Sequence, residues 1–355
     1  MKVLIVSLRY LGDCLLAAAL APAVKAKFPD AQVDLLSFRD NLSILEGVPC
    51  IDNRIGVEHH PKKWIQAQDH IRSWNTYDWA LSTMNSTRAT LYSWASARNQ
   101  TMPAVPDDLE HKWIRTLVKH QIPWSSGHLL DTFTDVAKPL LGDIEPLKPV
   151  APDAELSPEL EADFSALGPC VVCHPCSRYQ DKNWSQIGWR DLFRRIIDSG
   201  RGVCLTGGRS EFETDYIRAI TEGLPADRVL SVAGRASFGQ TGRIIRRADA
   251  FVGVDTATAH VAAATGTPSV FLFGPTNVRE WGPSPKDGRP ALYDSSLSVQ
   301  TVLNVTIVRQ DNPEPCCGCT RHRCAHFNPP ELGRCMQVIS PDKVWAALCQ
   351  SVAIS

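Results

Sequence analysis

An apolar run from Ala250 to Val254 turns without a spacer into Asp255-Thr256-Ala257-Thr258-Ala259-His260, a helix start built of small residues. Backbone N–H groups in the first turn of a helix lack intrahelical acceptors, and the helix dipole adds to their pull on an anion. The hydroxyls of Thr256 and Thr258 and the imidazole of His260 add donors, while Ala257 and Ala259 leave room for a diphosphate near the backbone. The same pattern fits a core helix capped by Asp255, with His260 a satisfied buried histidine.

Two more loops carry matching chemistry. Ser177, Lys182 and Trp184 follow the run Cys170 to Cys173, and Gly207, Gly208, Glu211 and Glu213 follow Gly202 to Thr206. Lys182 is a compact cation suited to a diphosphate leaving group, whose charge grows as a glycosidic bond breaks. Glu211 or Glu213 can accept ribose hydroxyl hydrogens, as carboxylates do in other nucleotide crevices. Taken singly, the lysine also reads as a solvated loop residue and the glutamates as first-turn contacts with a helix dipole.

Near the N-terminus, Asp13 follows Gly12 at the start of an apolar helix, where a glycine turn admits a substrate close to the backbone. Its carboxylate can take a proton from an attacking hydroxyl as general base, or serve only as a helix cap. Arg9 in the same turn is a cation for an anionic acceptor group. Further on, His59, His60, Lys62 and Lys63 form a basic cluster beside Trp64 and Trp74, cations next to aromatics of interfacial type, or else a solvated helix start.

The twelve cysteines divide into groups. Cys14, Cys50, Cys204 and Cys349 stand in apolar surroundings as small core residues. Cys173-His174-Pro175-Cys176 has redox spacing but leads into a polar loop, where a thioredoxin-like motif would open a helix. Cys316, Cys317, Cys319, Cys324 and Cys335, with His322 and His326, are dense enough for tetrahedral zinc yet lack paired C-x-x-C knuckles, so reduced thiols in a surface loop are expected and no metal is.

These residues need a scaffold that brings strand ends together. The chain has 355 residues, 44% of them hydrophobic, enough for two cores. Short β-rich runs alternate with helical stretches, the rhythm of parallel sheets with crossover helices. Expected strands are Lys2 to Ser7, Gln32 to Ser37, Asn53 to Val57 and Trp79 to Thr83, then Cys170 to Cys173, Gly202 to Thr206, Val229 to Val232, Ala250 to Val254 and Ser269 to Phe273. A helix is expected from Cys14 to Phe28, loosened at Pro22, and another over residues 58–76. Pro146, Pro149, Pro152 and Pro158 mark a linker. The reading is therefore two Rossmann-like, doubly wound α/β domains, residues 1–150 and 151–340, with residues 341–355 a terminal helix packing back toward the first. In such folds ligands bind beyond the carboxyl ends of the strands, where the polar residues above fall. A formal net charge of −1, mixed along the chain, excludes a nucleic-acid partner. No apolar stretch reaches the roughly 18 residues of a membrane span and no secretory signal opens the chain, which points to the cytoplasm.

The sequence resembles the bacterial lipopolysaccharide heptosyltransferases of glycosyltransferase family nine, two-domain GT-B enzymes. The resemblance lies in Lys2-Val3-Leu4-Ile5-Val6 with Arg9-Tyr10-Leu11-Gly12-Asp13, Pro22, Phe28-Pro29-Asp30-Ala31, His174-Pro175, Lys182-x-Trp184, Gly253-Val254-Asp255-Thr256-x-x-x-His260 and Leu272-Phe273-Gly274-Pro275-Thr276. It implies inverting transfer of L-glycero-D-manno-heptose from ADP-heptose to the inner core oligosaccharide on lipid A, in a cleft between the domains. Asp13 would be the base. Lys182 and the Asp255-Thr256-Ala257 helix start would bind the diphosphate, with Ser177 and His260 nearby and Glu211 on the ribose. Arg9, Gly12, Lys62 and Lys63 would meet the acceptor. The resemblance further implies no required cofactor or metal and a monomer in transient contact with the cytoplasmic face of the inner membrane. The Arg9-Tyr10-x-Gly12-Asp13 turn is most similar to the third-heptose branch. Where the family has Gly or Ala after His-Pro, Cys176 and Ser177 stand here. Two other readings stay open: a family-nine-like enzyme with another nucleotide sugar or a protein acceptor, and a thiol redox or zinc protein.

Overall fold

The computed structural model describes residues 1–104, 116–125, 127–287, 293–311 and 333–352, apart from the Trp64 side chain. The chain divides into two compact units, Met1–Val150 and Ala151–Ser355.

The first unit holds β1 (Lys2–Ser7), β2 (Gln32–Phe38), β3 (Asn53–Val57), β4 (Tyr77–Ser82), β5 (Ala97–Ala104) and β6 (His120–Pro123). Their order is β3-β2-β1-β4-β5-β6, and every pairing is parallel. A parallel sheet is covered on both faces, so its central strand is apolar throughout. Val3, Leu4, Ile5 and Val6 of β1 are all fully buried. One buried carboxylate, Asp34 on β2, is satisfied by Gln32, Asn53 and Tyr77 at 2.8–2.9 Å.

The second unit holds β7 (Cys170–His174), β8 (Gly202–Leu205), β9 (Val229–Ser231), β10 (Ala250–Val254), β11 (Ser269–Leu272), β12 (Val299–Val302) and β13 (Val305–Val308). Their order is β12-β13-β11-β10-β7-β8-β9, with β12 antiparallel at the edge. Without β12 the winding repeats that of the first unit. In both sheets the order reverses beside the first strand, between β1 and β4 and between β7 and β10, and ligands of doubly wound sheets bind at such reversals.

Several expected elements change shape. The helix expected from Cys14 to Phe28 is two helices, Leu11–Ala17 and Leu20–Lys27, parted at Ala18 and Ala19. Pro22 lies in the first turn of the second, where its missing N–H has no intrahelical acceptor to lose. The break falls ahead of the proline because its ring crowds the carbonyl four residues earlier, that of Ala18. The stretch 58–76 yields only Lys63–Arg72, since Pro61 holds the chain extended before it. The final helix, Pro341–Ser351, lies on the second unit's sheet, against β10, β11, β13 and the helix Gln186–Asp198.

The proline-rich connection is pinned at both ends. The Leu147 N–H donates to Thr134 Oγ1 at 3.1 Å, and Leu147 is buried. Asp153 accepts from Arg243 Nε at 2.7 Å and pairs with Arg246, both on the helix Phe238–Arg247. Those guanidiniums hold the Asp153 carboxyl below its usual range although burial opposes it.

Candidate active site

In the second unit the turns after β7, β10 and β11 converge on one ion pair. Lys182 Nζ donates to Asp255 Oδ2 at 2.6 Å, and Thr276 Oγ1 donates to the same oxygen at 2.5 Å. The pair is mostly withdrawn from water, with Lys182 12% and Asp255 8% exposed. Burial alone would raise the Asp255 carboxyl, but the ammonium and the Thr276 hydroxyl outweigh it and hold it lowered. Asp255 therefore does not cap the helix that follows it. It fixes the lysine.

That leaves the helix start uncapped. Thr256 sits at the cap position of Ala257–Thr265 without a side-chain hydrogen bond to the first turn. At many other helix starts a side chain does this work: Ser86, Ser157, Ser185, Ser210, Ser237 and Ser340, with His128 and Asn277, each accept from the turn they precede. Thr256 Oγ1 and His260 Nδ1 are buried and have no partner among the described residues. Burial lowers His260 to about 4, against the pull of Asp255, so the imidazole is neutral near pH 7. A cation locked in place, the Ala257 and Thr258 N–H groups of a first turn that no side chain caps, a hydroxyl and a neutral imidazole thus share the carboxyl edge of β10. Such a set suits a diphosphate with an attached sugar.

The loop after β7 is more structural than its sequence suggests. The Ser177 N–H donates to Asn183 Oδ1 at 2.7 Å, while the Ser177 hydroxyl accepts from the Tyr179 N–H at 3.2 Å. Trp184 is fully buried in the core and donates Nε1 to the Ile339 carbonyl at 2.9 Å, which anchors the segment carrying Lys182. His174 Nδ1 meets Thr206 Oγ1 at 2.9 Å, and burial lowers this imidazole also to about 4. Of the two glutamates after β8, Glu211 is exposed and Glu213 half-buried. Glu213 accepts from Ser210 Oγ at 2.9 Å and lies where a side chain on Gly208 would have to stand. It is also the carboxylate whose charge reaches His174 and Cys176. Spacing left Glu211 and Glu213 equal; the fold turns Glu213 toward the strand ends.

In the first unit, Asp13 is buried inside the first turn of Leu11–Ala17, with Gly12 just before it. Its Oδ2 accepts from the Tyr10 N–H at 3.1 Å and lies 3.7 Å from Arg9 Nε. The turn is fixed from below, as Asn41 Nδ2 donates to the Arg9 carbonyl at 3.0 Å. Lys62 and Lys63 are exposed after β3, at the start of the helix Lys63–Arg72. There His59 stacks on Phe38 at 3.7 Å, and Arg88 donates Nη1 to the His59 carbonyl at 2.8 Å. The Arg88 guanidinium lies over the Phe38 ring at 5.4 Å and the Tyr92 ring at 5.6 Å. Arg88, a cation held at the carboxyl edge of this sheet, was missed from sequence because no motif surrounds it. Thr276 was within a quoted motif, yet only the fold brings it to Asp255.

The redox reading of Cys173 and Cys176 does not hold. Both thiols are buried and unpaired, and burial drives Cys176 up to about 12 and Cys173 well above its usual value, so neither provides a thiolate near neutral pH. Cys316, Cys317, Cys319, Cys324, His322 and His326 lie outside the described residues; Cys335 is buried against the core of the second unit. Among the described residues no group of three or more His, Cys, Asp or Glu is placed to hold a metal, and no helix is long and apolar enough to cross a membrane.

Two doubly wound sheets of one strand order, the second with an anion-type crevice at its reversal, define a GT-B glycosyltransferase architecture. Whole-chain likeness agrees: the fold matches the Escherichia coli heptosyltransferase WaaC solved with ADP (TM-score 0.73, 17% identity, 99% of this chain and 100% of that one). It also matches the E. coli ADP-heptose LPS heptosyltransferase II (TM-score 0.70, 18% identity, 99% and 98%). The chain belongs to glycosyltransferase family 9 (heptosyltransferase), whose family model matches residues 70–292. Among curated proteins it is 27% identical to lipopolysaccharide heptosyltransferase 3 of E. coli, over 78% of this chain and 84% of that protein.

Proposed function

We propose that this family 9 glycosyltransferase moves heptose from ADP-heptose to the inner core oligosaccharide of lipopolysaccharide, with inversion at the anomeric carbon. The observation that carries the reading is the uncapped helix start at Thr256 beside the Lys182–Asp255 pair, a site formed for a sugar diphosphate. The names of its relatives supply the sugar and the acceptor class. The 27% likeness to a heptosyltransferase 3 supports addition of a third heptose over the earlier ones.

In this mechanism an acceptor hydroxyl attacks the anomeric carbon from the side opposite the diphosphate. The bond from that carbon to the diphosphate oxygen breaks as the new glycosidic bond forms. Asp13 takes the hydroxyl proton, and Arg9 at 3.7 Å stabilises the carboxylate beforehand. ADP departs with added negative charge, which Lys182 and the first-turn N–H groups of Ala257–Thr265 offset without rearranging. Asp255 positions Lys182 and is itself an acceptor for a sugar hydroxyl; being anionic, it is no phosphate ligand. His260, neutral, and Thr256 complete the donor contacts. Glu213 is better placed than Glu211 for the ribose. Lys62, Lys63 and Arg88 meet anionic groups on the acceptor. Because the acceptor is lipid-linked, the protein works at a membrane surface, as a monomer among whose described helices none is long and apolar enough to cross it.

A thermal-shift panel of ADP, UDP and GDP tests the donor assignment. A ligand at 100 times its dissociation constant adds about 2.7 kcal/mol of stability. ADP should raise the unfolding midpoint and the other two should not; a larger shift with UDP or GDP would overturn the choice of nucleotide.

A further inference from the structure

Three large apolar side chains stand uncovered together on the first unit. Ile71 is 73% exposed, Trp74 58% and Trp94 40%. The two indoles meet edge to face at 5.3 Å, and the Asn75 N–H donates to the Ala95 carbonyl at 2.8 Å, tying the turn that carries Trp74 to the end of the helix Thr87–Ser96 that carries Trp94. Residues Lys63, Ala67 and Ile71 recur every four positions and are all exposed, so the outward stripe of Lys63–Arg72 runs into Trp74. A helix of a globular domain ordinarily keeps that face polar.

Around this stripe Lys62, Lys63, Arg72 and Arg98 are exposed. Of the carboxylates nearby, Asp69 is half-buried and accepts from the Tyr92 hydroxyl at 3.3 Å, and Asp78, half-buried opposite Arg98 on β4, accepts from the Lys2 N–H at 2.9 Å. The face is thus cationic in a chain whose formal net charge is −1. We propose that this face, Ile71, Trp74 and Trp94 with Arg72 and Arg98, seats the protein on an anionic lipid surface. Indoles and long cationic side chains together are the mixture that the headgroup region accommodates. A second copy of the chain fits less well, since a two-fold contact would set these cations against themselves. With one short helix and three apolar side chains the contact is in-plane and reversible. Arg72, Trp74 and Trp94 stand just before β4 and β5 begin, so the seat lies at the amino edge of the sheet, opposite the edge that carries Lys62 and Lys63. The proposal rests on the reading of the acceptor as lipid-linked.

The full chain is sedimented at low salt with mixed phosphatidylethanolamine–phosphatidylglycerol vesicles and with phosphatidylcholine vesicles. Wild type should prefer the anionic vesicles. Trp74→Ser with Trp94→Ser, and separately Arg72→Glu with Arg98→Glu, should each lower that binding by roughly tenfold or more. Both variants should keep the wild-type unfolding midpoint and transfer heptose to a delipidated, water-soluble core oligosaccharide at the wild-type rate. Undiminished vesicle binding by both variants, no binding by wild type, or a wild-type dimer that the variants dissociate would overturn the proposal. Failure of wild type to modify the soluble oligosaccharide would overturn the acceptor reading instead, whatever the vesicles show.

Discussion

Asp13 carries two duties that one substitution separates. Its Oδ2 caps the first turn through the Tyr10 N–H, and an asparagine oxygen can keep that bond while lacking the basicity of a carboxylate. Asp13→Asn should leave the fold and ADP affinity nearly intact and lower turnover about 100-fold or more. Turnover within a few-fold of wild type would reduce the residue to a cap. Lys182 differs, because a cation on the diphosphate acts in the ground state and more strongly as the leaving group gains charge. Lys182→Ala should weaken ADP binding and slow transfer together, and it strands Asp255 as a buried carboxylate without its ammonium. Activity should survive EDTA. Complete loss in chelator, restored by magnesium, would contradict charge compensation by lysine and helix start.

Elements were legible where their apolar runs are bounded by turn residues. The structure gives β1, β3 and β10 the residues that the sequence implied, Lys2–Ser7, Asn53–Val57 and Ala250–Val254. β5 (Ala97–Ala104) escaped because its sequence ARNQTMPA has no apolar run and includes Pro103; the sheet, not local preference, makes it extended. β12 and β13 flank the two-residue turn Leu303-Asn304, in which the positive φ of 52° falls on the leucine and not on the asparagine, so the usual hairpin signal is absent. The site was readable as a set of strand-end residues, but not as the Lys182–Asp255–Thr276 contact, which joins three turns far apart in sequence. Likewise the proline-rich segment reads as a loose linker, yet Pro152 lies with its carbonyl against Gly242, where a side chain would have to stand. Gly242→Ala should therefore destabilise the chain by about 1–3 kcal/mol through a forced backbone shift, measured by urea unfolding. An unchanged midpoint would mean that the segment yields freely.

For the whole molecule, acid sensitivity follows from its buried histidines. His174 and His260 fall from 6.5 to about 4 on burial. Between these values the unfolded chain binds protons that the folded chain refuses, so their contribution is complete above about pH 6.5 and drains away as pH falls toward 4. Each is worth at most about 3 kcal/mol. The lowered carboxyls Asp153 and Asp255 lose their contribution only at lower pH, as their own protonation begins. The thermal midpoint should drop between pH 7 and pH 5 and lose much of that slope in His260→Gln; a flat profile would contradict neutral buried imidazoles.

Transfer itself tests the central claim most directly. Purified protein is incubated with ADP-L-glycero-D-manno-heptose and with core oligosaccharides truncated at successive heptoses, and the products are weighed by mass spectrometry. The account predicts that one acceptor gains a single heptose, that ADP is released in equal amount, and that Asp13→Asn suppresses both. No gain on any truncated acceptor, or gain of a different sugar from a UDP or GDP donor, would contradict it.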